Sequence, residues 1–239
     1  MMFREQMRKL YERHWLGTLD GVFDHHLYRN IVLHGCRAVY FPFPKVACSA
    51  VKKVIARELR LDLTGSIHEL RYPTIQLWKL KRCSSYFKFA FARNPWDRLV
   101  SCYANKILKD PEYTQGEYEN GIFRLWKKYG VFRAGMSFEE FVHAVCSIPD
   151  SESEAHFKSQ CGMLRTRFGL LQPDYVGRFE NLAADMEYVC RKIGIKEYQL
   201  DRVNTSNRGG SYRDYYSEKI RALAADRYAE DAVRFGYSF

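Results

Sequence analysis

Two short β-prone runs in this chain each break off into a polar, basic loop and then into a helix, and that repeated order limits the possible folds more than any other feature. The first run is Ala38-Val39-Tyr40-Phe41, bounded by Pro42 and Pro44, and it reads as a buried strand. Apolar residues then change to helical spacing at Val51, Val54, Ile55 and Leu59, with Ser49 where an N-cap would sit. The second run, residues 86–92, alternates phenylalanines at positions 87, 89 and 91. Arg93 ends it, and Asn94-Pro95 resembles an N-cap followed by a first-turn proline. Leu99, Tyr103 and Ile107 carry the apolar face of that helix. A third unit follows: a strand over 174–179, then a helix over 182–193 closed by Gly194. Strands alternating with helices predict an α/β fold with a central parallel sheet flanked by helices on both faces. In such sheets ligands bind beyond the carboxyl ends of the strands.

The remaining segments are less patterned. Residues 68–80 and 215–235 read as helices, and Ser137-Phe138-Glu139-Glu140 resembles a capping box. Residues 110–136 have weak periodicity and read as a variable insertion. No repeat or Pro/Gly/Ser-rich linker divides the chain, so one domain over 1–239 is expected, with residues 1–37 as an N-terminal helical extension. With 46% hydrophobic and 15% aromatic residues, a disordered chain is excluded. The net charge of +10 points to an anionic partner: nucleic acid, anionic polysaccharide, acidic lipid or a phosphorylated cofactor. Surface charge that serves only solubility is the plainer alternative. The seven cysteines are dispersed without a CxxC pair, which favours reduced thiols. No apolar leader follows the charged N-terminus and no run is long enough to span a bilayer, so a soluble cytoplasmic protein is expected.

Two motifs carry the chemistry. In Pro42-Phe43-Pro44-Lys45-Val46-Ala47-Cys48-Ser49-Ala50 a loop of small residues feeds a helix N-terminus. Backbone N–H groups and the helix dipole there favour an anion, Lys45 adds a point charge, and Ser49 adds a hydroxyl. The glycines of a Walker A loop are missing. An ordinary βα turn with a surface lysine stays open on the residues alone. In the second motif Asn94, Asp97, Arg98 and Ser101 fall on one helix face behind Arg93. A forked guanidinium with a hydroxyl nearby suits a terminal phosphate, and a solvated helix face is the alternative.

Together these segments resemble sulfotransferases that use 3′-phosphoadenosine 5′-phosphosulfate (PAPS), especially the carbohydrate sulfotransferase branch and its bacterial relatives. Pro44-Lys45-Val46-Ala47-Cys48-Ser49 is similar to the branch's 5′-phosphosulfate loop, and residues 91–101 are similar to its 3′-phosphate motif. Residues 174–182 and the ending Phe235-Gly236-Tyr237-Ser238-Phe239 also fit. The resemblance runs over about 38–239 with a poor middle. It implies a P-loop-like sheet, and Lys45 stabilising charge on the departing adenosine 3′,5′-bisphosphate (PAP). It also implies Val46, Ala47, Cys48, Ser49 and Ala50 around the 5′-phosphate, and Arg93 and Ser101 on the 3′-phosphate. Ala50 stands where the family often has a polar residue. Ser211 and Arg213 match a late donor-covering segment. The implied acceptor is a saccharide hydroxyl, with a hydroxylated or amine-bearing small molecule as the alternative. Acceptor choice would lie in residues 110–157. No metal and no specific nucleic acid are implied.

Sulfuryl transfer needs in-line geometry and charge stabilisation, and the acceptor hydroxyl must lose a proton. His68 lies between the two motifs where similar sequences carry a histidine. His156 also has a family-like setting. His68 is the favoured base, His156 the second, and an acidic residue or no single base stays open. Two rivals differ in class. A nucleotide kinase would need Walker glycines and a metal-holding acid. A polyanion or nucleic-acid binding protein would need only the charge.

Overall fold

The computed structural model describes residues 30–108, 117–166, 169–201 and 210–239. Its centre is a five-stranded mixed sheet. In chain order the strands are β1 (Asn30–Leu33), β2 (Ala38–Phe41), β3 (Thr74–Ile75), β4 (Phe87–Ala92) and β5 (Tyr175–Arg178), laid side by side as β3-β1-β2-β4-β5. β2, β4 and β5 are parallel, whereas β1 runs antiparallel to both β2 and β3. The expected central parallel sheet holds for β2, β4 and β5, and the antiparallel β1 and β3 make the whole sheet mixed. A turn at residues 34–37, with Arg37 at φ 48°, is too short for a crossover and forces β1 and β2 into a hairpin. The same strand replaces the end of the expected N-terminal helical extension. The rest of that extension, residues 1–29, lies outside the described residues.

β2 is apolar and buried at every position, as a strand covered on both faces must be. Helices α1 (Cys48–Glu58) and α4 (Leu182–Ile193) flank the sheet, and their Val51, Val54, Ile55, Met186 and Val189 join the strands in one core. Between them in chain order come α2 (Pro95–Lys106) and α3 (Phe138–Ser147), and after them α5 (Glu218–Arg227) and α6 (Ala229–Phe235). Part of this set forms a second, aromatic core around Trp126, with Phe123, Phe132, Phe141 and Phe157.

Several expected elements keep their ends. Asn94 caps α2 by accepting from the N–H groups of Trp96 and Asp97, Ser137 and Glu140 form the capping box of α3, and Gly194 ends α4 at φ 81°. Others change. The helix expected over 68–80 is β3 followed by a 3-10 helix, Leu77–Cys83. The helix expected over 215–235 is broken at Tyr228, whose buried hydroxyl donates to the Phe157 carbonyl at 2.7 Å.

Candidate active site

The parallel register decides where the motifs meet. Phe41 pairs with Ala90, and Ala92 with Arg178, so the loops leaving β2, β4 and β5 emerge side by side. Neighbouring strands are about 4.8 Å apart, close enough for side chains on adjacent loops to interact. Arg93 spans the gap. Its Nη1 donates to the Lys45 carbonyl at 2.9 Å, its Nε donates to Asp97 at 2.6 Å, and its guanidinium lies 4.0 Å from the Phe179 ring centre. Arg98 ties the motifs a second time, donating to the carbonyls of Pro44, Ala155 and Lys158 at 3.0, 2.8 and 2.8 Å. It is a structural staple, buried rather than solvated, and sequence spacing alone placed it on the same face as Ser101.

The Lys45 loop is strained. Lys45 and Ala47 have φ of 67° and 51°, in the left-handed region that costs a non-glycine residue about 1 kcal/mol. The strain moves the helix start. α1 is capped by Ala47, not by Ser49, and Val51 is the first residue whose N–H reaches back to the Ala47 carbonyl. The N–H groups of Cys48, Ser49 and Ala50 thus have no partner inside the helix. Ala50 and Val46 are buried, and the Ser49 hydroxyl shares a 2.9 Å hydrogen bond with His68 Nε2. Burial pushes Lys45 down to about 8, and Lys106 and Arg93 push the same way against Cys102 and Cys48.

His68 is pushed down to about 4 by burial, with Lys52, His156 and Lys106 adding to it. His156 is held differently. Its Nδ1–H donates to the Glu154 carboxylate at 2.9 Å, its backbone N–H reaches the same oxygen at 3.1 Å, and Trp126 Nε1–H donates to that oxygen at 2.9 Å. Both side chains are buried. Burial lowers the His156 pKa, against the upward pull of the Glu154 charge and hydrogen bond. Burial pulls the Glu154 pKa up, but the charge of His156 and the hydrogen bonds from His156 and Trp126 outweigh it and hold the carboxyl low. Sequence reading missed Glu154, because nothing in a spacing of two residues marks a buried carboxylate–imidazole pair.

Ser101 is buried in the second turn of α2. Ser211 caps the 3-10 helix Tyr212–Tyr215, its hydroxyl accepting from the Arg213 N–H at 3.3 Å. Arg213 is exposed and lies 5.6 Å from the Phe239 ring centre, while Tyr212 donates its position to the α2 cap: the Asn94 side-chain amide donates to its hydroxyl at 3.4 Å. The two late residues therefore stand at the N-terminal end of α2. Arg178 and Glu180 do not pair with each other. Arg178 donates to the Phe235 carbonyl, and Glu180 accepts from the Asn94 N–H and the Tyr237 hydroxyl. Gln160 also escaped sequence reading. Its amide accepts from the Arg93 N–H and donates to the Arg93 carbonyl, which fixes the strand end against buried Asp231.

The surroundings suit an anion: a helix start whose first N–H groups have no partner within the helix, a lysine beside it and a guanidinium locked across the gap. Among the described residues no group of three or more His, Cys, Asp or Glu side chains is placed to hold a metal ion, and no helix is long and apolar enough to cross a membrane.

A family model described as "Sulfotransferase family" matches residues 31–238. The chain is 29% identical to carbohydrate sulfotransferase 11 of Rattus norvegicus, over 67% of this chain and 51% of that protein. It is 29% identical to carbohydrate sulfotransferase 10 of Mus musculus, over 66% and 48%. With carbohydrate sulfotransferase 9 of Homo sapiens the identity is 23%, over 96% and 55%. The chain spans about half the length of these curated relatives. No solved structure matches it significantly. The relatives overturn the cytoplasmic expectation. Carbohydrate sulfotransferases of this type are membrane-anchored Golgi enzymes.

Proposed function

Since the chain belongs to the sulfotransferase family and is a transferase, we propose that it moves a sulfuryl group from PAPS to a hydroxyl of a saccharide. The observation that carries this reading is the Arg93 bridge: one guanidinium holds the carbonyl of Lys45, so both donor motifs form one rigid site at the strand ends. In this reading the fold serves as a P-loop-like cradle. The N–H groups of Cys48 to Ala50 hold the 5′-phosphate, and Arg93 with Ser101 takes the 3′-phosphate. Ser211 and Arg213 close over the donor near the start of α2. PAPS supplies a sulfuryl group on an activated phosphosulfate, and PAP departs. Lys45 stabilises charge on the departing group, which is the larger effect in transfers of this kind.

The base is His156. Glu154 fixes the ring with its proton on Nδ1, so Nε2 is the basic nitrogen of the neutral tautomer. His68 is the weaker choice, because its Nε2 shares a hydrogen bond with Ser49 of the donor loop. It holds the donor loop instead. The saccharide acceptor is supported by the names of the relatives and by the +10 charge. Transfer of radiolabelled sulfate from PAPS to a panel of polysaccharides and hydroxylated small molecules tests the reading. Labelled saccharide supports it; label only on small molecules assigns the other acceptor class.

A further inference from the structure

The residues around the proposed base belong to no regular element. Residues 153–159 join the 3-10 helix Asp150–Glu152 to the short helix Gln160–Leu164, yet every one of them is buried. Their backbone makes one turn of its own: the Glu154 carbonyl accepts from the N–H groups of Phe157 and Lys158 at 3.1 and 2.9 Å. A lone turn fixes several dihedral angles for very few hydrogen bonds and is unstable by itself. Its buried carbonyls also need donors. Both demands are met from outside. Arg98 donates to the Ala155 and Lys158 carbonyls at 2.8 Å each, and its third bond reaches Pro44, the neighbour of Lys45. One guanidinium thus ties the turn to the donor loop. The Phe157 carbonyl, next to His156 in the chain, accepts from the Tyr228 hydroxyl at 2.7 Å.

Tyr228 stands at the break between α5 and α6, with φ −114° and ψ 24°. Residues 218–235 contain no proline, glycine or serine, so no local signal breaks the helix there. The contacts of the break supply the reason. Arg227 donates to the Ser153 hydroxyl at 2.6 Å and lies 3.2 Å from Asp150. Asp231 accepts from the N–H groups of Gln160 and Cys161 at 2.8 and 2.7 Å. In an unbroken helix residues 227 and 228 would point about 100° apart. Here both reach the same buried segment, even though Arg227 Nε is left buried with no hydrogen bond. The break therefore grips the segment before, within and after the turn that carries Glu154 and His156.

We propose that Tyr228 is a positioning residue for His156: its hydroxyl on the Phe157 carbonyl, with Arg227 on Ser153, holds the Glu154–His156 turn in register with the donor loop. The inference rests on the reading above in which His156 is the base. Tyr228 touches no reacting atom and acts only through the turn.

Tyr228→Phe removes one oxygen and keeps the ring. Tyr103→Phe is its control, because buried Tyr103 also donates to a backbone carbonyl, that of Met136 at 2.9 Å, outside the turn. Thermal melts of the two variants should show similar losses of Tm. With PAPS and the acceptor that the panel identifies, Tyr228→Phe should lower kcat about ten-fold, since a small misplacement of a catalytic group costs that much or more. Its Kd for PAP should stay within about two-fold of wild type, and Tyr103→Phe should keep kcat within about two-fold. Ser153→Ala releases Arg227 without altering α5 and should lower kcat about three-fold at unchanged PAP affinity; it carries the test if Tyr228→Phe does not fold. Equal kcat losses in Tyr228→Phe and Tyr103→Phe, full kcat in Ser153→Ala, or a loss that lies in PAP affinity would overturn the inference. Nitrogen NMR of isotope-labelled histidine rings reads the placement without turnover. The His156 signal, assigned by its absence in His156→Ala, should show a single tautomer protonated on Nδ1 in the wild type and mixed tautomers in Tyr228→Phe. Identical ring signals in the two proteins overturn the inference even where transfer is slowed. A wild type that binds PAP but transfers no sulfuryl group, or a His156→Ala protein with full kcat, overturns the functional reading instead, and the ring signals still judge Tyr228.

Discussion

The proposed donor half of the site and the proposed acceptor half are built from different materials. The donor half stands on sheet ends. Its groups are fixed by backbone: Arg93 and Arg98 grip carbonyls, and Gln160 clamps the Arg93 peptide. The acceptor half stands on side chains from the aromatic core, where Glu154, Trp126 and Phe123 orient His156. A binding site for one invariant cosubstrate can be rigid main chain. A site that must be tuned to one acceptor is more readily changed when rings and side chains shape it.

The largest effects should come where the two halves meet. Lys45→Ala should lower kcat by about 10²–10³-fold with PAP affinity changed much less. Retained kcat would assign leaving-group stabilisation to another group. His156→Ala should cost about 10²–10⁴-fold in kcat, and His68→Ala should act mainly on KM for PAPS. The reverse pattern restores His68 as the base. Glu154→Gln should lower kcat by a smaller factor and move the acid limb of the pH profile, since a neutral amide no longer stabilises the protonated ring.

The pH profile follows from the signs. Lys45 acts while charged, so kcat/KM should fall as pH rises through about 8, well below the ordinary lysine range. His156 acts while neutral, so the acid limb should lie below the ordinary histidine value of about 6.5. For stability the sign is opposite to a paired lysine. The unfolded chain binds more protons between about 8 and the ordinary 10.5, so Lys45 costs stability that is regained as pH rises across that window. Lys45→Met should accordingly raise Tm near neutral pH.

Stability variants separate the halves without chemistry. Arg98→Ala orphans three buried carbonyls and should destabilise the fold by about 3 kcal/mol. Gly177→Ala should cost about 1–3 kcal/mol, because a Cβ on β5 would lie 2.7 Å from the Phe91 ring and 2.9 Å from Asp185 Cβ. Chemical denaturation curves measure both. A neutral Gly177→Ala would mean that β5 packs more loosely than the donor half requires.

The same division explains what could be read in the sequence. β2, α4 and the caps of α2 and α3 were legible because proline, asparagine, the capping box and Gly194 act through local backbone chemistry. The two basic motifs stood out by their resemblance to a family, and the parallel register sets them side by side. β3 is two residues long and takes its partners from β1, far away in sequence, so no periodicity could announce it. The start of α1 was misplaced because left-handed Lys45 and Ala47 carry no glycine signal. Glu154 and Phe123 become neighbours of His156 only through packing of the aromatic core, which a linear pattern does not contain.

The claim that joins both halves is that one rigid donor site forms where Lys45 and Arg93 meet. Calorimetric titration of PAP into the metal-free protein, wild type against Arg93→Ala, tests it most directly. The account predicts saturable one-site binding that weakens at least ten-fold when Arg93 is removed, as the loss of charge-assisted contacts costs about 1.5–3 kcal/mol. No saturable PAP binding by a folded wild type that still binds DNA tightly, or equal affinity in the two proteins, would contradict it.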